Sequence, residues 1–212
     1  MTSSRMLNRF VLNAAVVLVA SCSSSSQVDL NESKRFLGRE NDVRVDAQLF
    51  SDQIDNTSFV RVVYEVGNFR SNAIALALAN TETDYDPATR TITLNIGCEI
   101  PGDAIVPHLT KIESSERKTF SVGAKVNVLV PTAAGPFANR PLYLRVKLHF
   151  LGEVEPFTTL LTIPDRGVHD PQLADQLFFV WIEKKETVVT NTLPIRWGPD
   201  SLATSARFGG SF

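Results

Sequence analysis

Few residues in this chain have the type and spacing that chemistry requires, and they fall into small groups. Glu82, Asp84 and Asp86 alternate in "TETDYDP", and three carboxylates so spaced offer the hard oxygen ligands that calcium takes. The segment lacks the glycine and distal glutamate of an EF-hand loop, so turn-forming aspartates are the stronger reading and a metal site the weaker. Arg145, Lys147 and His149 alternate in "LRVKLHF" as a basic stripe that could hold an anionic glycan or a lipid headgroup. The competing reading is a solvated strand face paired with acids such as Glu65 on neighbouring strands. His169 stands beside Asp170, where a helix cap competes with a proton shuttle or metal ligand. Cys98 follows "TITLNIG" at a strand end, where a small buried hydrophobe is the plain reading and a reactive thiol the sharper one. No G-x-S-x-G, H-E-x-x-H, phosphate loop or C-x-x-C occurs, so no cofactor is implied and catalysis is not expected.

These residues need elements to hold them, and from Asp42 onward the sequence alternates with the period of half-buried strands. "PLYLRVKLHFLG" sends Leu142, Leu144, Val146, Leu148 and Phe150 one way and Tyr143, Arg145, Lys147 and His149 the other. "SFVRVVYEVGN" sets Val60, Val62, Tyr64 and Val66 against Arg61 and Glu65. "RTITLNIG" turns Ile92, Leu94 and Ile96 inward and Thr91, Thr93 and Asn95 outward. "NAIALALAN" has Ile74, Leu76 and Leu78 on one face and only alanines on the other, which suits close packing against a further layer. "KTFSVGAKVNVLVP" supplies one or two strands, with a bend or bulge expected at Gly123. "FTTLLTIP", "LFFVWIEK" and "ETVVTNTLPIRW" complete about nine strands. Residues 177–182 are apolar on both faces, which predicts a central covered strand with Trp181, like Trp197, in the core.

Turn residues separate these runs, as in "DYDPATRT" and "IESSERK". In the longest break, "PDRGVHDPQLADQ", a short helix is expected from Asp170, with Pro171 in its first turn. The pattern predicts an all-β fold: an antiparallel β-sandwich of about 8–10 strands, immunoglobulin-like or transthyretin-like. A true immunoglobulin domain would show a Cys, Trp, Cys pattern, which this chain lacks, so the expectation concerns architecture only.

The first residues read as an export signal. Arg5 and Arg9 make a positive start, and residues 10–20 form an apolar stretch of 11 residues interrupted by Asn13. A bilayer span needs about 20 residues, so the stretch directs export without anchoring the chain. Removing residues 1–21 takes away those two arginines and no acid, leaving 19 basic against 23 acidic residues. A net acidic domain without a basic cluster in its sequence gives no reason to expect nucleic acid as a partner.

Val19, Ala20, Ser21 and Cys22 resemble the lipobox of bacterial lipoproteins, with Val19 where that family most often has Leu. The resemblance covers the first 22 residues and implies that the Cys22 thiol is diacylated and the chain cut before it. Two or three acyl chains on one residue anchor stably, where one gives only marginal binding. Ser23 to Ser26 would then begin a polar tether. In the family, Asp directly after the cysteine tends to retain the protein at the inner membrane. Ser23 instead implies transport to the outer membrane, on its periplasmic side. The expected organisation is a signal peptide at 1–21, a lipidated tether at 22–41, a sandwich domain at 42–198 and a loose tail at 199–212. The functional expectation is a lipid-anchored, noncatalytic cell-envelope protein that binds or assembles with a protein partner. The alternative is a binding protein for a small ligand, metal or anionic glycan.

Overall fold

The computed structural model describes residues 35–51, 53–54, 59–78, 81–102, 104–126 and 141–197. The expected leader, Cys22, the tether as far as residue 34, the strand residues 127–130, the Trp197 side chain and the tail at 199–212 lie outside the described residues and side chains. The strands begin as β1 (Arg35–Glu40), β2 (Val43–Leu49), β3 (Gln53–Ile54), β4 (Phe59–Asn68) and β5 (Ile74–Ala77). Next come β6 (Thr81–Asp86), β7 (Thr91–Ile96), β8 (Ile105–Val106), β9 (Leu109–Ile112) and β10 (Arg117–Lys125). The last are β11 (Tyr143–Leu151), β12 (Val168–His169), β13 (Lys185–Val189), β14 (Leu193–Pro194) and β15 (Arg196–Trp197). A 3-10 helix occupies Glu155–Leu161, and an α-helix, α1, occupies Pro171–Lys184.

Alternation produces the sandwich. The first sheet has the order β1-β2-β4-β10, antiparallel throughout. The second has the order β6-β7-β11-β5-β9, with β13 and β14 also pairing with β11. Val45, Val62, Tyr64 and Val66 from the first sheet meet Ile92, Leu94, Val146 and Leu148 from the second in one core. These are the inward faces that the sequence pattern predicts. The alanine face of β5 is covered as well: Ala75 and Ala77 join Phe157, Leu160, Ala174, Leu177 and Trp181 in a second core. The layers therefore run first sheet, second sheet, then α1 with the 3-10 helix.

The structure departs from the sequence expectations at several places. β11 pairs with β7 in parallel, Tyr143 against Thr91 through Leu148 against Ile96, so the second sheet is mixed where an antiparallel one was expected. Residues 177–182 belong to α1 and not to a central strand. Asp170 caps the helix by accepting from Leu173 N at 2.9 Å, Pro171 fits its first turn, and Ala174, Leu177 and Trp181 bury one stripe at helical spacing. "FTTLLTIP" is a 3-10 helix in place of a strand, with Phe157 and Leu160 buried three residues apart. Gly123 makes no bulge, since it pairs with Arg61 within an unbroken ladder. Leu142 lies ahead of β11 and is exposed. Finally, β1 lies within the stretch assigned to the tether, with Phe36 fully buried. Among the described residues no helix is long and apolar enough to cross a membrane.

Candidate functional site

The two charged groups singled out in the sequence share one face of the second sheet. Thr81–Asp86 is a strand and not a loop, so Glu82, Asp84 and Asp86 project to the same side, two residues apart. On β7, Asn95 stands opposite Glu82 and Thr93 opposite Asp84. On β11, Lys147 stands beside Asn95 and Arg145 beside Thr93. Carboxylates and cations thus flank a row of small polar side chains. Asn95 Nδ2 donates to Asp84 Oδ2 at 2.6 Å, and Arg145 Nε donates to Thr93 Oγ1 at 2.9 Å. This cover is why Thr91, Thr93 and Asn95, expected to face solvent, are buried.

The acids opposite the basic stripe therefore come from β6. Glu65 lies on the first sheet and pairs with Arg117 at 3.5 Å. Asp86 is the turn-former that the sequence suggested: it accepts from Ala88 N at 2.9 Å and from Thr89 Oγ1 at 2.7 Å. Those bonds, the Thr89 hydroxyl first, hold its carboxyl below the usual range. Among the described residues no three His, Cys, Asp or Glu side chains converge as a metal would require.

His149 is the exception on this stripe. It is 6% exposed, and its Nδ1 is buried without a hydrogen-bond partner. Burial, with Lys185 and Lys147 adding to it, lowers its pKa to about 4, so the imidazole is neutral at physiological pH. Cys98 is half-buried at the end of β7. Burial first, then Glu82 and Glu99, push its thiol up to about 11. A thiol so raised is a poor nucleophile.

Beside this face opens a cleft of about 590 Å³. Ile100, Ile105, Pro107 and Phe178 supply its apolar wall. Glu82, Cys98, Glu99 and Arg166 supply its polar side. The helix that brings Phe178 here also leaves Phe179 77% exposed and Ile182 49% exposed, with Ile105 54% exposed at the cleft. These residues escaped the sequence reading because "LFFVWIEK" looked like a buried strand. The signal that finds them is the Asp-Pro start at 170–171 together with the spacing of Ala174, Leu177 and Trp181.

The remaining candidates are structural. Asp170 caps α1 while the neighbouring His169 is exposed in β12. His108 Nδ1 lies 2.6 Å from Ile163 O, tying two loops together. A second cleft, of about 610 Å³, is lined by charges that pair with each other: Arg70 with Glu186 at 2.7 Å and Lys184 with Glu153 at 3.2 Å.

No family model matches the chain, and neither a curated protein nor a solved structure matches it.

Proposed function

We propose that this chain is a lipid-anchored, noncatalytic protein of the bacterial cell envelope that holds a protein partner against the α1 side of its sandwich. One observation carries the partner reading: Ile105 is exposed at the cleft that Phe178 lines, the Phe179 ring lies edge-on to Phe178 at 5.5 Å and is exposed, and Ile182, one turn further along α1, is exposed too. Phenylalanines in such a cluster are typical anchors of protein interfaces, and a polar rim such as Glu82, Glu99 and Arg166 fits the same plan. The poorly nucleophilic thiol of Cys98 supports a noncatalytic role. Anchoring at Cys22, location at the outer membrane and an immunoglobulin-like or transthyretin-like plan belong to the same proposal, with the lipobox-like sequence and the sandwich as their support.

The test is a photo-crosslinking residue at position 179 of the full chain in intact cells, with mass spectrometry of the adduct and of the mature N-terminus. A discrete protein adduct, lost in Ile182→Asp, together with an acylated Cys22 is the expected result. Absence of any adduct sinks the partner reading, and an unmodified Cys22 sinks the anchor. A small-ligand reading has one observation in its favour, since about 590 Å³ is within the size range of ligand pockets. That reading requires a ligand-dependent rise in melting temperature.

A further inference from the structure

The outward face of the first sheet, on the side away from α1, concentrates positive charge in a chain whose net charge is -2. Alternation sends Arg35, Arg39, Arg44, Arg61, Arg117 and Lys125 outward, against the strand acids Asp46 and Glu65 and, in the turn between β1 and β2, Asp42, which reaches Arg39. Register then aligns three of the arginines. Arg39 is directly opposite Arg44, Arg44 is opposite Gly67, and Gly67 is opposite Arg117, so one row crosses all four strands.

Gly67 has a specific part in that row. A Cβ there would lie 3.1 Å from Phe69 Cε2, so its absence lets the Phe69 ring rest on the sheet. The guanidinium carbons of Arg39 and Arg117 lie 5.7 and 5.6 Å from the ring centroid. The result is an arginine, phenylalanine, arginine arrangement with Phe69 43% and nearby Leu37 46% exposed. Arg39 directly opposite Arg44 is a like-charge pairing that costs stability. Arg39 pairs with Asp42 at 3.1 Å, Arg44 with Asp46 at 3.2 Å and Arg117 with Glu65 at 3.5 Å. Asp46 is shared with Arg35 in a mostly buried pair, so the acids offset the repulsion only in part. An anionic surface laid on this face would offset that repulsion.

We propose that this face docks on anionic phospholipid headgroups of the bilayer that holds the anchor; the proposal rests on the anchored reading above. Charge complementarity is the first argument. Exposed Phe69 and Leu37 among the arginines add the apolar contacts that interfacial binding uses. Chain length is the second argument: β1 is the edge strand of this sheet, and only residues 23–34 separate it from Cys22. Fully extended, twelve residues span about 40 Å at most, so the anchor keeps this sheet near the headgroups. With the arginine face on the bilayer, the Phe179 side of the sandwich is presented to the periplasm.

The experiment is co-flotation of the full chain carrying Cys22→Ser with phosphatidylcholine vesicles, with and without phosphatidylglycerol. Arg5 and Arg9 of the leader answer to phosphatidylglycerol as well, so the arginine face is read from the difference between the parent and variants that carry the same leader. Phosphatidylglycerol is expected to raise binding by about tenfold at low salt, and the gain is expected to disappear at high salt. The triple variant Arg39→Gln, Arg44→Gln, Arg117→Gln should lose most of the gain while still melting cooperatively. The corresponding triple lysine variant should keep it, because a membrane surface reads charge. No gain from phosphatidylglycerol, or a gain that the glutamine changes leave undiminished, overturns the proposal. Loss of the gain in the lysine variant also overturns it, and assigns the face to a ligand that needs bidentate arginine. Because no acyl chain takes part, these outcomes are independent of whether Cys22 is lipidated in cells.

Discussion

Leu37 and Asn191 exchange two hydrogen bonds across the edge of the sandwich: Leu37 N donates to Asn191 Oδ1 at 2.6 Å, and Asn191 N donates to Leu37 O at 3.1 Å. They join β1 of the first sheet to the segment that follows β13 in the second. At the opposite edge, Thr83 Oγ1 donates to Lys125 O at 3.4 Å. Both edges of the first sheet are thus tied to the second, which protects strands that would otherwise offer unpaired backbone. Asn191→Ala should cost about 1 kcal/mol in urea denaturation. Gly38→Val should cost more, on the order of 2 kcal/mol, because a Cβ there would stand 2.7 Å from Val189 O. Equal stability of both variants and the parent would show that β1 contributes no stabilising closure.

Asn68 is a buried hub. Its Nδ2 reaches Asn72 O at 2.9 Å, Ile112 O at 3.1 Å and Glu113 O at 3.1 Å, while its Oδ1 accepts from Arg70 N at 3.0 Å. Replacement by leucine leaves those backbone groups without their partner. A loss of roughly 2–3 kcal/mol is expected from the denaturation midpoint at unchanged m-value.

His149 makes stability depend on pH. Its folded pKa of about 4 lies below the unfolded value of 6.5, so between these pH values the unfolded chain binds a proton that the folded chain does not. Stability is therefore fully present above pH 6.5 and is lost progressively as pH falls toward 4, by on the order of 3 kcal/mol. Lys185 and Lys147 push in the same direction as burial, and Asp84 opposes them. His149→Gln should flatten the slope between pH 4 and 6.5, measured as unfolding free energy against pH. A variant with the parent's slope would assign the acid sensitivity to another group.

Cys98 should react slowly with a thiol reagent. A thiol at about 11 instead of 9 has about a hundredfold less thiolate at pH 8. Labelling in the native state should be slower than in urea by at least that factor. Glu82→Gln should accelerate it, because the Glu82 carboxylate is the largest cause of the rise after burial.

The inward faces of β4, β7 and β11 could be read directly from the sequence, because alternation decides which side of a strand is apolar. The alanines of β5 foretold a second layer for the same reason, and the Asp170–Pro171 start of α1 was visible as a cap. The rest of α1 was not: a run such as "LFFVWI", apolar at every position, satisfies a strand and a helix equally, and packing against Phe157 and the β5 alanines decides between them. β1 escaped notice because it is a charged edge strand that buries a single large side chain, Phe36. Alternation fixes a face but never a neighbour. That Asp84 lies across from Arg145, and Arg39 beside Arg44 and Arg117, follows from strand pairing between distant segments. Only the tertiary structure chooses that pairing, because the energy that selects it is the burial of both cores at once.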